Sequence, residues 1–104
     1  MKVAVDWDAT LVDGEQSWLP GATVALSGLL AGGHSIVIHS CRANWPEGLA
    51  QIRRTLDGHG FYAVPVWDSP GKPHADLYID DRALRFEGDW HDFMPRVFAA
   101  LTNQ

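Results

Sequence analysis

A chain of 104 residues that is 46% apolar and 20% charged can bury a core and has room for one domain, 1–104, which excludes a disordered tail. Its formal net charge of -5 argues against a surface built to cover nucleic-acid phosphates. The single cysteine, Cys41, excludes an internal disulfide and suits a reducing cytoplasm, and no apolar run is long enough for a signal peptide or membrane span.

Short β-branched runs at Val3–Val5, Ser35–His39, Tyr62–Val66 and Leu77–Ile79 read as strands buried on both faces. Between them, Gly21–Ala31 starts after Pro20 and stops at Gly32-Gly33, which is the chemistry of a helix start and stop. The stretch Pro46–Asp57 repeats that pattern and sets Leu49, Ile52 and Leu56 on one face. A last helix is expected over Asp89–Leu101, with Phe93, Val97 and Leu101 at four-residue spacing. This alternation predicts an α/β fold, a three-layer α/β/α arrangement around a central parallel sheet. Such sheets place ligands beyond the carboxyl ends of their strands.

The chemistry-bearing residues fall at those ends. The first strand runs into Asp6-Trp7-Asp8-Ala9-Thr10, and carboxylates at i and i+2 of an extended chain face one spot. The second ends in His39-Ser40-Cys41-Arg42, the fourth in Asp80-Asp81, and Lys72 lies in the loop before it. Taken singly, each is an ordinary turn, cap or loop residue; their arrival in order at successive strand ends favours one site. Two like charges about 4 Å apart repel by roughly 4 kcal/mol near a protein surface, so Asp6, Asp8, Asp80 and Asp81 together call for a cation. All-oxygen ligands suit Mg2+.

From Val3-Ala4-Val5-Asp6-Trp7-Asp8-Ala9-Thr10 to Lys72 and Ile79-Asp80-Asp81-Arg82, the chain resembles the haloacid dehalogenase superfamily, in particular its small capless phosphatases. The resemblance implies a Rossmann-like domain and a Mg2+-dependent phosphomonoester hydrolase. In it Asp6 would be the nucleophile that becomes an aspartyl-phosphate, and Asp8 the general acid and then base. Ser40 would bind the transferring phosphoryl group, Lys72 would neutralise its charge, and Asp6, Asp8 (through its carbonyl), Asp80 and Asp81 would hold the metal. Thr10, Cys41 and Arg42 stand where they would meet substrate; for Arg42 an ion pair with a carboxylate is an equal alternative. Ala9 departs from the family's glycine, so the turn there must tolerate a Cβ.

No segment is long enough for a cap, since Asp8 to Pro20 holds a short flap with an Asp13-Gly14 turn signal. An open site suits a bulky phosphorylated substrate such as a nucleotide or nucleic-acid end; a small substrate such as a sugar phosphate would need a homo-oligomer as its lid. Trp18 and Trp45 could stack on a base or pack under a loop, whereas Trp7, Trp67 and Trp90 read as core. His39, Cys41 and His74 lack zinc-ligand spacing. A phosphoprotein substrate has only the open site in its favour. Of another class are a phosphoryl-accepting or partner-binding module with little turnover, and an inactive relative; the presence of both Asp6 and Asp8 counts against each.

Overall fold

The computed structural model describes residues 1–103. In chain order it contains β1 (Lys2–Val5), α1 (Ala22–Ala31), β2 (Ser35–Ile38), a short 3-10 turn (Cys41–Asn44), α2 (Pro46–Gly58), β3 (Leu77–Ile79) and α3 (Trp90–Thr102). The three strands form one parallel sheet in the order β2-β1-β3. The chain is therefore an α/β domain built on an open parallel sheet.

β1 takes the centre because Val3, Ala4 and Val5 are all buried, as a strand covered on both faces requires. Asp76 fixes β3 beside it: its carboxylate accepts the Lys2 N–H at 2.7 Å, and its own N–H donates to the Lys2 carbonyl at 2.8 Å. Leu26 of α1 and Ile52 and Leu56 of α2 join Val3, Val5, Ile36, Ile38 and Trp7 in one apolar cluster. Burying each such side chain is worth about 1.5–3 kcal/mol.

The run Tyr62–Val66, expected as a full strand, pairs with the sheet only through an isolated bridge between Val66 and Ile38. Ile38 donates to the Pro65 carbonyl at 2.9 Å and accepts from Trp67 at 2.8 Å, which brackets Val66 and nothing more. Pro65 has no N–H for a ladder, and Tyr62 and Ala63 already turn the chain, so the pairing cannot lengthen.

The C-terminal quarter departs further from expectation. The apolar cluster contains no residue after Val66. β3 is the edge strand, and Leu77, Tyr78 and Ile79 are 38–44% exposed. α3 is capped by Asp89, whose carboxylate accepts the His91 N–H at 2.8 Å, but buries no residue and lies against no strand or other helix. Its contacts are to the segment just before it, where Phe86, Trp90 and Phe93 stack at centroid distances of 4.8–5.5 Å. Trp90, expected in the core, is 62% exposed. This arm gives the molecule a 45 Å long axis and a radius of gyration of 15.1 Å, against about 13 Å for a compact chain of this length. Among the described residues no helix is long and apolar enough to cross a membrane.

Candidate functional site

Of the residues at the carboxyl ends of the parallel strands, Asp6, Asp80 and Asp81 meet, with Thr10 beside Asp6; Asp8 and Lys72 are exceptions, and Ser40, Cys41 and Arg42 gather on the Asp8 side. Asp6 follows β1 directly, and its N–H donates to the Ile79 carbonyl of β3 at 2.9 Å, so the chain leaving β1 is tied to the chain leaving β3. Carboxylate oxygens of Asp6, Asp80 and Asp81 consequently lie within 4.8 Å of one another. At that spacing two full charges repel by about 3–4 kcal/mol at an effective dielectric of about 20. Burial raises the Asp6 carboxyl above its ordinary range, and the neighbouring carboxylates Asp81 and Asp80 raise it further, against the lowering effect of the Trp7 backbone N–H. Thr10 Oγ1 sits 3.4 Å from Asp6 Oδ2. Three negatively charged oxygen donors so placed fit a hard divalent cation and give a soft one nothing to prefer.

Asp8 points elsewhere. Its carboxylate accepts two bonds from the Arg42 guanidinium, Nε at 3.1 Å and Nη2 at 2.8 Å, and a third from Gln16 Nε2 at 2.8 Å. The Arg42 bonds hold Asp8 below the ordinary carboxylate range, with Gln16 assisting and burial opposing, and Asp8 in turn holds Arg42 more firmly protonated. Both side chains are more than a third exposed, so the pair adds no more than about 1 kcal/mol to stability. A depressed carboxyl adds stability above the unfolded-state value and loses it as pH falls through the lower folded value. In metal-free protein, an NMR titration of Asp8 should give a midpoint below the ordinary range, returning toward it in Arg42→Met; identical midpoints in the two chains would refute the pairing.

Gln16 is a residue the sequence does not single out. Its amide oxygen accepts the indole N–H of the fully buried Trp7 at 2.9 Å while its nitrogen donates to Asp8, so one side chain joins core to site. The flap that delivers it is a hairpin in which Asp13 Oδ1 accepts the N–H groups of Glu15 and Ser17 and Val12 bridges Trp18. Gln16 occupies the left-handed region at φ 62°, a conformation that no sequence pattern in the flap announces. Ala9 is in the same region at φ 60°, with three successive N–H groups, those of Thr10, Leu11 and Val12, turned back onto the Trp7 carbonyl. A Cβ in that conformation costs about 1–2 kcal/mol, part of which glycine would return as unfolded-chain entropy. Ala9→Gly should therefore stabilise the chain by about 0.5–1 kcal/mol in urea denaturation; a loss of stability would show that the turn does not strain Ala9.

Ser40, the one buried polar residue among the described residues, caps the 3-10 turn after β2: its Oγ accepts the Arg42 N–H at 3.1 Å. The turn places Cys41, exposed, and Arg42 beside Asp8, and the three line a cavity of about 410 Å³ with Trp45, Glu47 and Gln51. Trp45 is 60% exposed at its wall. Trp18 instead packs inward, edge-on to Trp7 at 5.5 Å, with its indole N–H donating to His59 at 3.0 Å, which settles it as a residue under the flap. Gly48 lets α2 approach this turn, since a Cβ there would lie 2.1 Å from the Arg42 carbonyl oxygen.

Lys72 is the second exception. Its ammonium lies over the Tyr78 ring at 4.0 Å, and the Tyr78 hydroxyl donates to the Pro73 carbonyl at 2.7 Å. Lys72 and Asp80 line a common cavity of about 410 Å³ without pairing. Asp80 Oδ1 accepts the Arg82 backbone N–H at 2.7 Å, and Arg82 Nε, on an almost fully exposed side chain, stands 3.6 Å from Asp81.

No family model and no curated protein matches this chain. Among solved structures it is similar to one described as a conserved protein from Bacteroides thetaiotaomicron, at 28% identity and a TM-score of 0.67, over 100% of this chain and 98% of that one.

Proposed function

We propose that this chain is a capless phosphomonoesterase of the haloacid dehalogenase type, three-layered around its parallel sheet, that hydrolyses its substrate through an aspartyl-phosphate on Asp6 with Mg2+ bound. The observation that carries the reading is the meeting of Asp6, from the end of β1, with Asp80 and Asp81, from the end of β3. Such a cluster disfavours itself unless a cation offsets it, and the ends of parallel strands are where open α/β sheets bind ligands.

Asp6, Asp80 and Asp81 would hold the ion, joined by the main-chain carbonyl of Asp8. Bound there, Mg2+ would offset the charge of the incoming phosphate and of the transferring group. An Asp6 carboxylate oxygen attacks phosphorus as the ester P–O bond breaks, and the leaving oxygen takes a proton from Asp8. Asp8, now a carboxylate, removes a proton from water, whose oxygen attacks phosphorus and releases inorganic phosphate from Asp6. Asp8 can hold that first proton only when Arg42 lets go of it, so Arg42 moves from Asp8 to the substrate phosphate as the complex forms. The Ser40 hydroxyl beside this turn would donate to a phosphoryl oxygen, and Thr10 and Cys41 would border it. Lys72 must leave the Tyr78 ring to reach the phosphoryl oxygens; an exposed cation–π contact of about 0.5–1 kcal/mol is a weak restraint against a cluster of like-charged carboxylates.

Trp45 at the wall of the cavity beside Asp8 favours a nucleotide or nucleic-acid end as the phosphorylated substrate, since an exposed indole is a stacking platform. The test is phosphate release from p-nitrophenyl phosphate, nucleotides, sugar phosphates and a 3′-phosphorylated oligonucleotide, with and without Mg2+. Release that requires Mg2+ and is lost in Asp6→Asn supports the proposal; no release from any substrate overturns it. The Arg42 grip on Asp8 favours one other reading, a phosphoryl-accepting module with little turnover. Phosphoprotein that accumulates on Asp6 without free phosphate would select it.

A further inference from the structure

Two bare surfaces of this chain match each other but do not meet within it. One is β3. The Ile79 carbonyl accepts from Asp6, so the alternate residue Tyr78 turns its N–H and carbonyl to the outer edge, where no further strand pairs among the described residues. Parallel strands are stable when both faces are covered, and β3 has neither face closed. The other is the arm, residues 80–103. Its helix α3 is amphipathic, 13 residues long and interrupted by Pro95, yet no residue in it is buried. A helix of that length with an interior proline is marginal in water unless its apolar face is packed against something.

We infer that two copies of this chain dock through this face, each laying its arm over the other's β3 about a two-fold axis. The area fits. At about 200 Å² per large side chain, the eight large apolar residues exposed by 38–63% on β3 and the arm present roughly 800 Å², the share of each partner in a standard stable interface. The occupant is a second copy because one chain carries both halves of the contact, a bare strand and a bare helical stripe, which is what a self-complementary two-fold interface needs. The inference stands apart from the catalytic reading and holds whether or not the chain releases phosphate.

Sedimentation equilibrium of the full chain should give twice the 11.5 kDa of one copy. Phe98 and Leu101 are 60% and 63% exposed and belong to no part of the buried core, so Phe98→Asp combined with Leu101→Asp should weaken the dimer about tenfold or more. Hydrogen exchange on the wild type needs no variant: protection of the Tyr78 amide should rise with protein concentration across the dimer transition. A single-copy mass at the highest concentration, an unchanged dimer in the double variant, or Tyr78 protection independent of concentration would each overturn the inference. The last result would mean that the arm covers its own strand.

Discussion

Asp6→Asn should abolish phosphate release while making the metal-free protein more stable. The two effects share one cause, the placement of a half-buried carboxylate beside Asp80 and Asp81. As the attacking group Asp6 has no substitute in the site, and removing a nucleophile costs on the order of 10⁴-fold or more in kcat. The stability sign follows from its raised pKa. A carboxyl whose folded value lies above its unfolded value penalises the folded state once pH exceeds the unfolded value, and the penalty is complete above the folded value. At neutral pH the amide removes that charge, so thermal unfolding without Mg2+ should move to higher temperature. The same substitution should erase the stabilisation that Mg2+ gives the wild type. Phosphate release within tenfold of wild type would sink the nucleophile assignment, and a lower melting temperature without metal would sink the account of the cluster.

Gly48→Ala should damage the site from the other side of the helix that supports it. Gly48 is buried in the first turn of α2, against the 3-10 turn that carries Arg42. A methyl group there would stand 2.1 Å from the Arg42 carbonyl oxygen, 2.6 Å from its Cγ and 2.9 Å from its carbonyl carbon. Two of those three atoms are backbone, so the turn must move as a unit. Overpacking of this kind costs about 1–3 kcal/mol, well beyond the few tenths that alanine's better helix propensity could return. The displaced turn would carry Arg42 off Asp8 and loosen the Ser40 cap. Urea denaturation reads the loss of stability directly, and the Asp8 titration midpoint should rise along with it. A stability change under about 0.5 kcal/mol with Arg42 still on Asp8 would mean that the packing is looser than these distances require.

Much of this arrangement was legible in the residues themselves. Strand runs at Val3–Val5, Ser35–His39 and Leu77–Ile79, and helix starts at Pro20-Gly21 and Pro46, are local signals, and the elements form within a residue or so of where those signals place them. Once the strands are parallel, their carboxyl ends share one edge, and the pairing of β3 beside β1 then brings Asp80 and Asp81 to Asp6. The expected strand at Tyr62–Val66 failed for a reason also written locally, the missing N–H of Pro65, which outweighs the apolar character of the run.

Residues close together in the chain thus dictated the elements and the placing of Asp6, Asp80 and Asp81 at strand ends, whereas the pairing of those strands joins residues as distant as Val3 and Leu77 and belongs to the fold. Tertiary structure alone decided the partners of the long side chains. Asp8 could have joined the other aspartates, but Arg42 from a turn 34 positions away claims it, and Gln16 reaches it only because the flap bends back through a left-handed residue. Lys72 lies on Tyr78 in place of a carboxylate for the same kind of reason, a flexible stem choosing among neighbours that folding supplies. The apolar spacing of Phe93, Val97 and Leu101 predicted a face to be covered, and the helix formed. Periodicity says that such a face seeks a partner; only the fold shows that the strand offered by its own chain is not the one it lies against.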